Sequence, residues 1–287
     1  MSDQRFLSLI SKLAAGSGGS GAGWSVLRLC SRVLIAGLAL SRAFGAGPAD
    51  AGEAKAREVI AAAIQAMGGE TYLGVKTSSS YGRYFAFRRG RKAFTHFKDW
   101  AATLDPVKSR FQLGKGKRQT VWVYNLELNK GWKLEGESSV EDLPEEDVKD
   151  FKKQVNHDLD YILRSRLQEE GLNLYYFPPD QVAGTGELEA VQFLDRTNDS
   201  VVIYFDQNSH LPAKIESEFT DKIGIRHKSI TEFSNWHWIG GVYAPLRFDT
   251  FVDGNLSRQR HLEKLSLNGA ISPSLFLEPQ VKKKKKK

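Results

Sequence analysis

Six histidines, His96, His157, His210, His227, His237 and His261, are the side chains of this sequence best suited to proton transfer or metal binding. None stands in an HExxH pattern or another close spacing that would bring two imidazoles onto one metal ion. The densest grouping is His157-Asp158 with Asp160. On a helix, positions i, i+1 and i+3 do not share one face, which favours an N-cap or a solvated surface over a metal site. His237 stands between Trp236 and Trp238 on a strand, so alternation turns it away from both rings. There is no GxSxG elbow for a serine nucleophile and no Walker loop, and Gly184-Thr185-Gly186 lacks the dinucleotide fingerprint. The single cysteine, Cys30, lies near the N-terminus, so the rest of the chain has no disulfide, thiolate ligand or thiol nucleophile. The pairs Glu145-Glu146 and Glu169-Glu170 fall at helix ends, where they read as solvated charge. The expectation is a protein that is not an enzyme and carries no metal and no cofactor.

Aromatic and basic residues give the stronger patterns, and both point to binding. Tyr84, Phe85, Phe87, Phe94, Phe97, Trp100, Trp122, Tyr124 and Trp132 crowd one stretch of strands. Alternation opposes Tyr84 to Phe85 and Phe87 and puts Trp122 with Tyr124, so both faces carry rings. They are either a filled core or, in part, the lining of an apolar cavity of the kind that holds small molecules. In the cavity reading, Tyr84, Phe94, Trp100, Trp122 and Tyr124 line it, and Phe151, Val155, Leu159, Ile162 and Leu163 close it. Two basic turns, with Arg88, Arg89, Arg91 and Lys92 in one and Lys115, Lys117 and Arg118 in the other, would lie at the same end of a strand meander. That rim is either a pair of solvated turns or a dock for anionic headgroups or an acidic partner.

Charge divides sharply along the chain. The net charge is +7, of which the first 47 residues hold +4 and Lys282–Lys287 hold +6, leaving −3 for residues 48–281. The basic pI thus belongs to the ends, and a nucleic-acid partner is not expected. Arg28 and Arg32 precede the apolar run Val33–Leu40, and small residues follow it, which describes a secretory signal peptide with a long n-region over residues 1–47. A run of eight residues is too short to cross a hydrocarbon core of roughly 30 Å as a helix. Export to the periplasm is expected. Residues 282–287 read as a disordered poly-lysine tail that would add about 1 kcal/mol per charge at an anionic surface.

Positioning these residues falls to one mainly β domain over residues 48–281. Ala51–Met67 has Val59, Ile60, Ala63, Ile64 and Met67 at helical spacing and ends at Gly68-Gly69. Strands are expected at 81–88, 92–104, 108–113, 119–124 and 132–135. A helical insert, bent or split, follows at about 144–169. Strands then resume at 173–177, 188–194, 201–205, 213–219, 226–236, 242–251 and 256–267. The spacing leaves no room for crossover helices, so neighbours should pair as antiparallel hairpins. Twelve strands do not stay flat; such a sheet curls.

This order of elements resembles the bacterial lipoprotein-carrier superfamily that includes LolA and LolB. The resemblance is carried by Ala66-Met67-Gly68-Gly69, Tyr204-Phe205-Asp206 with His210-Leu211-Pro212, Phe233-Ser234-Asn235-Trp236, Gly241-Val242-Tyr243-Ala244-Pro245 and Phe276-Leu277-Glu278-Pro279. It covers roughly residues 51–279. The resemblance implies a half-open, strongly curved antiparallel β-sheet or barrel with an N-terminal helix and a mid-chain helical lid. It also implies an exported, non-enzymatic carrier or binding protein for lipid, acyl chains or lipoprotein, of the kind that serves outer-membrane lipoprotein sorting. The alternative is an envelope interaction or stress-sensing module that binds a partner protein through the basic rim or an edge strand.

Overall fold

The computed structural model describes residues 48–88, 91–102, 107–182 and 187–281. The expected signal peptide, Arg89 and the poly-lysine tail lie outside the described residues. Helix α1 (Pro48–Ala66) and the single turn α2 (Glu70–Leu73) lead into β1 (Thr77–Arg88), β2 (Arg91–Ala102), β3 (Lys108–Leu113), β4 (Thr120–Asn125), β5 (Lys130–Glu135) and β6 (Ser139–Asp142). Helices α3 (Glu145–Asn156) and α4 (Leu159–Ser165) follow. The chain then forms β7 (Asn173–Phe177), β8 (Leu188–Leu194), β9 (Ser200–Asp206), β10 (Pro212–Thr220), β11 (Arg226–Ile239), β12 (Val242–Val252) and β13 (Asn255–Leu267).

All thirteen strands form one sheet in the order β6-β5-β4-β3-β2-β1-β13-β12-β11-β10-β9-β8-β7. Every neighbouring pair is antiparallel. The chain thus enters the sheet at its middle, walks to the β6 edge, crosses by α3 and α4 to the β7 edge, and walks back until β13 meets β1. The sheet does not close, because β6 and β7 are its two ends. β6 is the strand that the sequence reading does not find. Its four residues, Ser139-Val140-Glu141-Asp142, carry one apolar side chain and sit at an edge, where pairing with β5 alone holds them.

Two cores lie on the face that carries the helices. The larger joins Ala56, Val59, Ile60, Ala63, Ile64 and Met67 of α1 and Leu159, Ile162 and Leu163 of α4 to Leu174, Val191, Phe193, Val201, Ile203, Phe205 and Ile215 of β7–β10. The α1 residues recur at three and four, as an amphipathic helix requires. The helix stops at Gly68, with φ +119°, where an added Cβ would lie 2.4 Å from the Gly241 carbonyl oxygen. There Tyr243 N–H donates to the Met67 carbonyl at 2.9 Å, which ties α1 to the β11–β12 turn. The smaller core joins Val148 of α3 and Leu143 to Phe97, Leu113 and Trp122 of β2–β4. A third cluster, Val121, Val123, Trp132 and Leu134, lies on the opposite face of β4 and β5. The C-terminal turn Pro273–Phe276 approaches that face, and Asn125 Nδ2 donates to the Phe276 carbonyl at 3.2 Å.

Curvature follows from the helical crossing. In a flat sheet β4 and β8, nine strands apart in the order, would be about 43 Å from one another. Yet Phe151 on α3 stacks on Tyr124 of β4, while Ile162, eleven residues later, is buried with Phe193 of β8. Only a strongly curled sheet satisfies both contacts. Polar groups fix the crossing at each side. Buried Arg166, after α4, donates to Glu169 at 2.7 Å, to the Asn156 carbonyl at 2.8 Å and to Asp195 at 3.1 Å. Lys222 in the β10–β11 turn reaches Asp147 of α3 at 3.2 Å. Ile162→Ala removes a side chain with 0% exposure from the larger core. It should lower unfolding stability by about 2–5 kcal/mol, read from urea titration.

A candidate ligand site in the concave face

Between the two cores, the inner face of the central strands is only partly covered. The register fixes which side chains share it. Phe97 of β2 lies opposite Gly82 of β1, which lies opposite Leu262 of β13. Tyr84 lies opposite Arg260, Arg260 opposite Phe248, and Phe248 opposite Phe233 of β11. Tyr84, Phe233, Phe248, Arg260 and Leu262 all keep partial exposure. The rings of Phe233 and Phe248 meet edge to face at 5.9 Å, and Tyr84 meets Phe111 at 6.2 Å. The result is an apolar strip, four strands wide, with one arginine at its centre.

Arg260 is braced by aromatic faces. Its guanidinium carbon is 4.5 Å from the Phe248 ring centroid and 5.8 Å from that of Phe97, distances at which the ring quadrupole attracts a cation. Its carboxylate partner, Asp99 of β2, is 3.8 Å away, too long for a hydrogen bond. The Arg260 side chain remains 34% exposed, while its Nε is buried without a hydrogen-bond partner. Arg164 of α4 stands over the Tyr72 ring at 4.2 Å and contacts Asp160 at 3.3 Å. Its Nε too is buried and unpartnered, on a side chain 7% exposed. Tyr72 donates its hydroxyl to Asp160 at 2.9 Å.

Asp158 completes the group. It is the N-cap of α4 and accepts the Tyr161 N–H at 3.1 Å. The residue is exposed to solvent although other groups crowd around it. Burial, and then the nearby charge of Asp160, push its pKa up to about 6 against the pull of the Tyr161 N–H, Arg260 and Arg164. Burial also raises Asp99, and Arg260 opposes that rise. The geometry can therefore accept chains along the apolar strip and hold a charged group against Arg260, Arg164, Asp99 and Asp158. It offers no paired nucleophile and base. Among the described residues no group of three His, Cys, Asp or Glu side chains could hold a metal ion.

The sequence-based candidates divide among several places. Tyr84, Trp122, Tyr124 and Phe151 share the inner face near the smaller core, with Tyr124 and Phe151 stacked at 3.9 Å. Phe94 and Trp100 lie on the outer face of β2, because Phe97 and Asp99 point inward and alternation sends even positions out. Phe94 is 53% exposed. These two therefore do not share a surface with Tyr84, which corrects the single lining that the sequence reading assembles. Leu159, Ile162 and Leu163 are buried in the larger core, and Val155 is half-buried on α3. The basic turns do lie at one end of the sheet, but staggered. Gly114 N–H donates to the His96 carbonyl, five residues short of Arg91, so Lys115, Lys117 and Arg118 sit about 17 Å from the Arg88–Arg91 pair along the strand direction. Lys92 folds over the Phe85 ring at 4.3 Å, and Arg88 and Arg91 end their strands.

Arg260, Asp99 and Arg164 escape the sequence reading. Arg258, Arg260 and Leu262 alternate onto one strand face, so a pair of arginines in line with a leucine is the signal for them. A second cleft, of about 490 Å³, is lined by Arg83, Ser234, Asn235, Leu246, Arg247, His261 and Leu262. Its arginines are already neutralised, Arg83 by Glu263 at 2.9 Å and Arg247 by Asp249 at 2.7 Å, so it has less to offer a ligand.

Comparison with solved structures places this architecture. A DUF1329 family protein from Desulfovibrio piger superimposes with a TM-score of 0.51 at 13% identity, over 77% of this chain and 97% of that one. A putative outer membrane lipoprotein-sorting protein domain from Vibrio parahaemolyticus gives 0.47 at 11% identity, over 77% and 97%. A LolA superfamily protein from Nitrosomonas europaea gives 0.40 at 12% identity, over 78% and 97%. No family model matches the chain, and no curated protein does. The fold, a mostly β chain with an open antiparallel sheet and a few helices, is shared with the Desulfovibrio piger protein.

The raised pKa of Asp158 has a signed consequence for stability. The folded state holds the Asp158 proton up to about pH 6, whereas the unfolded chain releases it near 4. This group's contribution should therefore favour folding more as pH falls from 7 toward 4. Asp158→Asn keeps an N-cap acceptor and removes the charge. It should raise the urea midpoint at pH 7 and flatten the rise between pH 7 and pH 5; an unchanged midpoint and slope would show that ionised Asp158 carries no penalty.

Proposed function

We propose that this chain is a non-enzymatic carrier or binding protein for lipid or lipoprotein acyl chains, exported to the periplasm. The observation that carries the reading is the partly exposed inner strip of Tyr84, Phe233, Phe248 and Leu262, which lies between two well-filled cores. Partly exposed rings on a concave face are unfavourable in water, and burying them against an acyl chain recovers about 25 cal/mol per Å² of apolar area. The sequence resemblance to the lipoprotein carriers and the open antiparallel fold agree with this reading. In it, α3 and α4 act as the cover: acyl chains enter where the two helices part, and α3 moves once Lys222 releases Asp147.

The test is native mass spectrometry of protein recovered from an envelope fraction, with lipid analysis after denaturation. A stoichiometric lipid or acylated peptide is expected. Added lipid should raise the melting temperature, because a ligand at a hundred times its Kd stabilises the folded state by about 2.7 kcal/mol. Phe248→Asp, on the inner strip, should abolish that gain, whereas Phe94→Asp, on the outer face, should leave it intact. A clean apo mass together with no lipid-dependent shift would turn the assignment toward docking of an envelope protein on the outer face.

A further inference from the structure

The polar groups of the concave face do not suit a purely apolar cargo. Arg260 and Arg164 each bury an Nε without a partner, and buried donors left unpaired in a native protein call for an explanation. Among the described residues Asp158 accepts a backbone N–H and has no cation within ion-pair distance, while Asp99 has a backbone hydrogen bond from Trp100 and the long contact to Arg260. Arg260 links them, since it lies beside Asp99 and within electrostatic reach of Asp158, as does Arg164. Arg260 and Asp99 thus stand together at the edge of the Tyr84–Phe248–Leu262 strip, and Asp158 of the α4 region lies within electrostatic reach of both Arg260 and the Asp160-paired Arg164. A ligand bringing one charge alone would satisfy half of this set and face repulsion from the other half.

We infer that the concavity holds a zwitterionic aminophosphate head, with the phosphate on Arg260 and Arg164 and the amine on Asp158 and Asp99, as in an aminophospholipid. The inference rests on the acyl-binding reading above and specifies its ligand. It also moves the polar head from the basic turns, where the sequence reading puts it, to the interior. Arg260 presents a planar fork held by the Phe248 and Phe97 rings, a geometry suited to a phosphate. Asp158 lies within electrostatic reach of Asp160 and Arg164 on its own helix and of Arg260 on β13, so its charge is stabilised most when a further cation arrives.

The test compares lipids with identical short acyl chains on the full chain: diacylglycerol, phosphatidylglycerol and phosphatidylethanolamine, with phosphoethanolamine lacking chains as a fourth ligand. Phosphatidylethanolamine should bind about tenfold or more tighter than the other two lipids, given the usual strength of charge-assisted hydrogen bonds. Arg260→Gln should bring both phospholipids down toward diacylglycerol, and Arg260→Lys should restore only part of the difference. Asp158→Asn should reduce phosphatidylethanolamine to the level of phosphatidylglycerol without weakening the latter. Unfolding midpoints of the variants, measured alongside, separate lost binding from lost folding. Equal binding of all three lipids would overturn the interior head site and leave the acyl reading standing. Tightest binding of phosphatidylglycerol, indifferent to Asp158→Asn, would overturn the zwitterion. Phosphoethanolamine binding as tightly as the lipid would assign the site to a free solute and overturn the lipid head. Failure of every lipid to bind would remove the acyl reading and this inference with it.

Discussion

The pairing of β1 with β13 governs the rest of the molecule. It sets the two chain-terminal strands side by side at the centre of the sheet, so both edges are made by strands from the middle of the sequence. The connection between those edges has to cross the open side, and α3 and α4 are that connection. The seam itself is tight: a Cβ on Gly82 would stand 2.0 Å from the His261 carbonyl oxygen, beside a register shift between Tyr81 and Gly82. Glycine there does more than permit the approach. With no side chain between Phe97 and Leu262, the inner strip has a gap next to Arg260.

Electrostatics and packing divide the concave face between them. Where α1 and α4 cover it, the side chains are mostly aliphatic, with Phe193 and Phe205 among them, and buried. Where α3 covers it, stacked aromatic rings join Leu113, Leu143 and Val148. In the interval, charged residues gather from three elements: Asp99 from β2, Arg260 from β13, and Asp158, Asp160 and Arg164 from the α4 region. Placing such groups among rings costs free energy unless they are paired and hydrogen-bonded. By contrast, Arg166 on the far side of α4 is fully engaged by Glu169, Asp195 and a backbone carbonyl. The difference between these two arginine environments separates a group that fastens the structure from groups left available.

Much of the fold is legible from local pattern. Runs of β-branched and aromatic residues bounded by turn residues mark twelve strands, and apolar spacings of three and four mark α1, α3 and α4. β6 is invisible because one valine among polar residues has no periodicity to read. The inner face is legible only within each strand. Alternation in β2 separates Phe94 and Trp100 from Phe97, but which set faces the helices depends on pairings made elsewhere in the chain. Arg260 is hidden for a further reason. A charged residue on a strand ordinarily reads as the wet side, and here the register to Tyr84 and Phe248 overrules that reading.

The central seam also constrains how the chain acquires its shape. Asn268 accepts the Lys76 N–H at 2.8 Å across 192 positions of sequence, and its Nδ2 donates to the Gly74 carbonyl. Such distant pairings must wait for a long loop to close, which slows folding. A chain emerging from its N-terminus first would form two local meanders, one ending in β6 and the other growing back from β7, each with an unpaired inner edge. Until β13 arrives, β1 and β12 expose those edges to any passing strand. The last strand made is therefore the one that ends the vulnerable period, and a chain cut short before Asn255 would keep both open edges permanently.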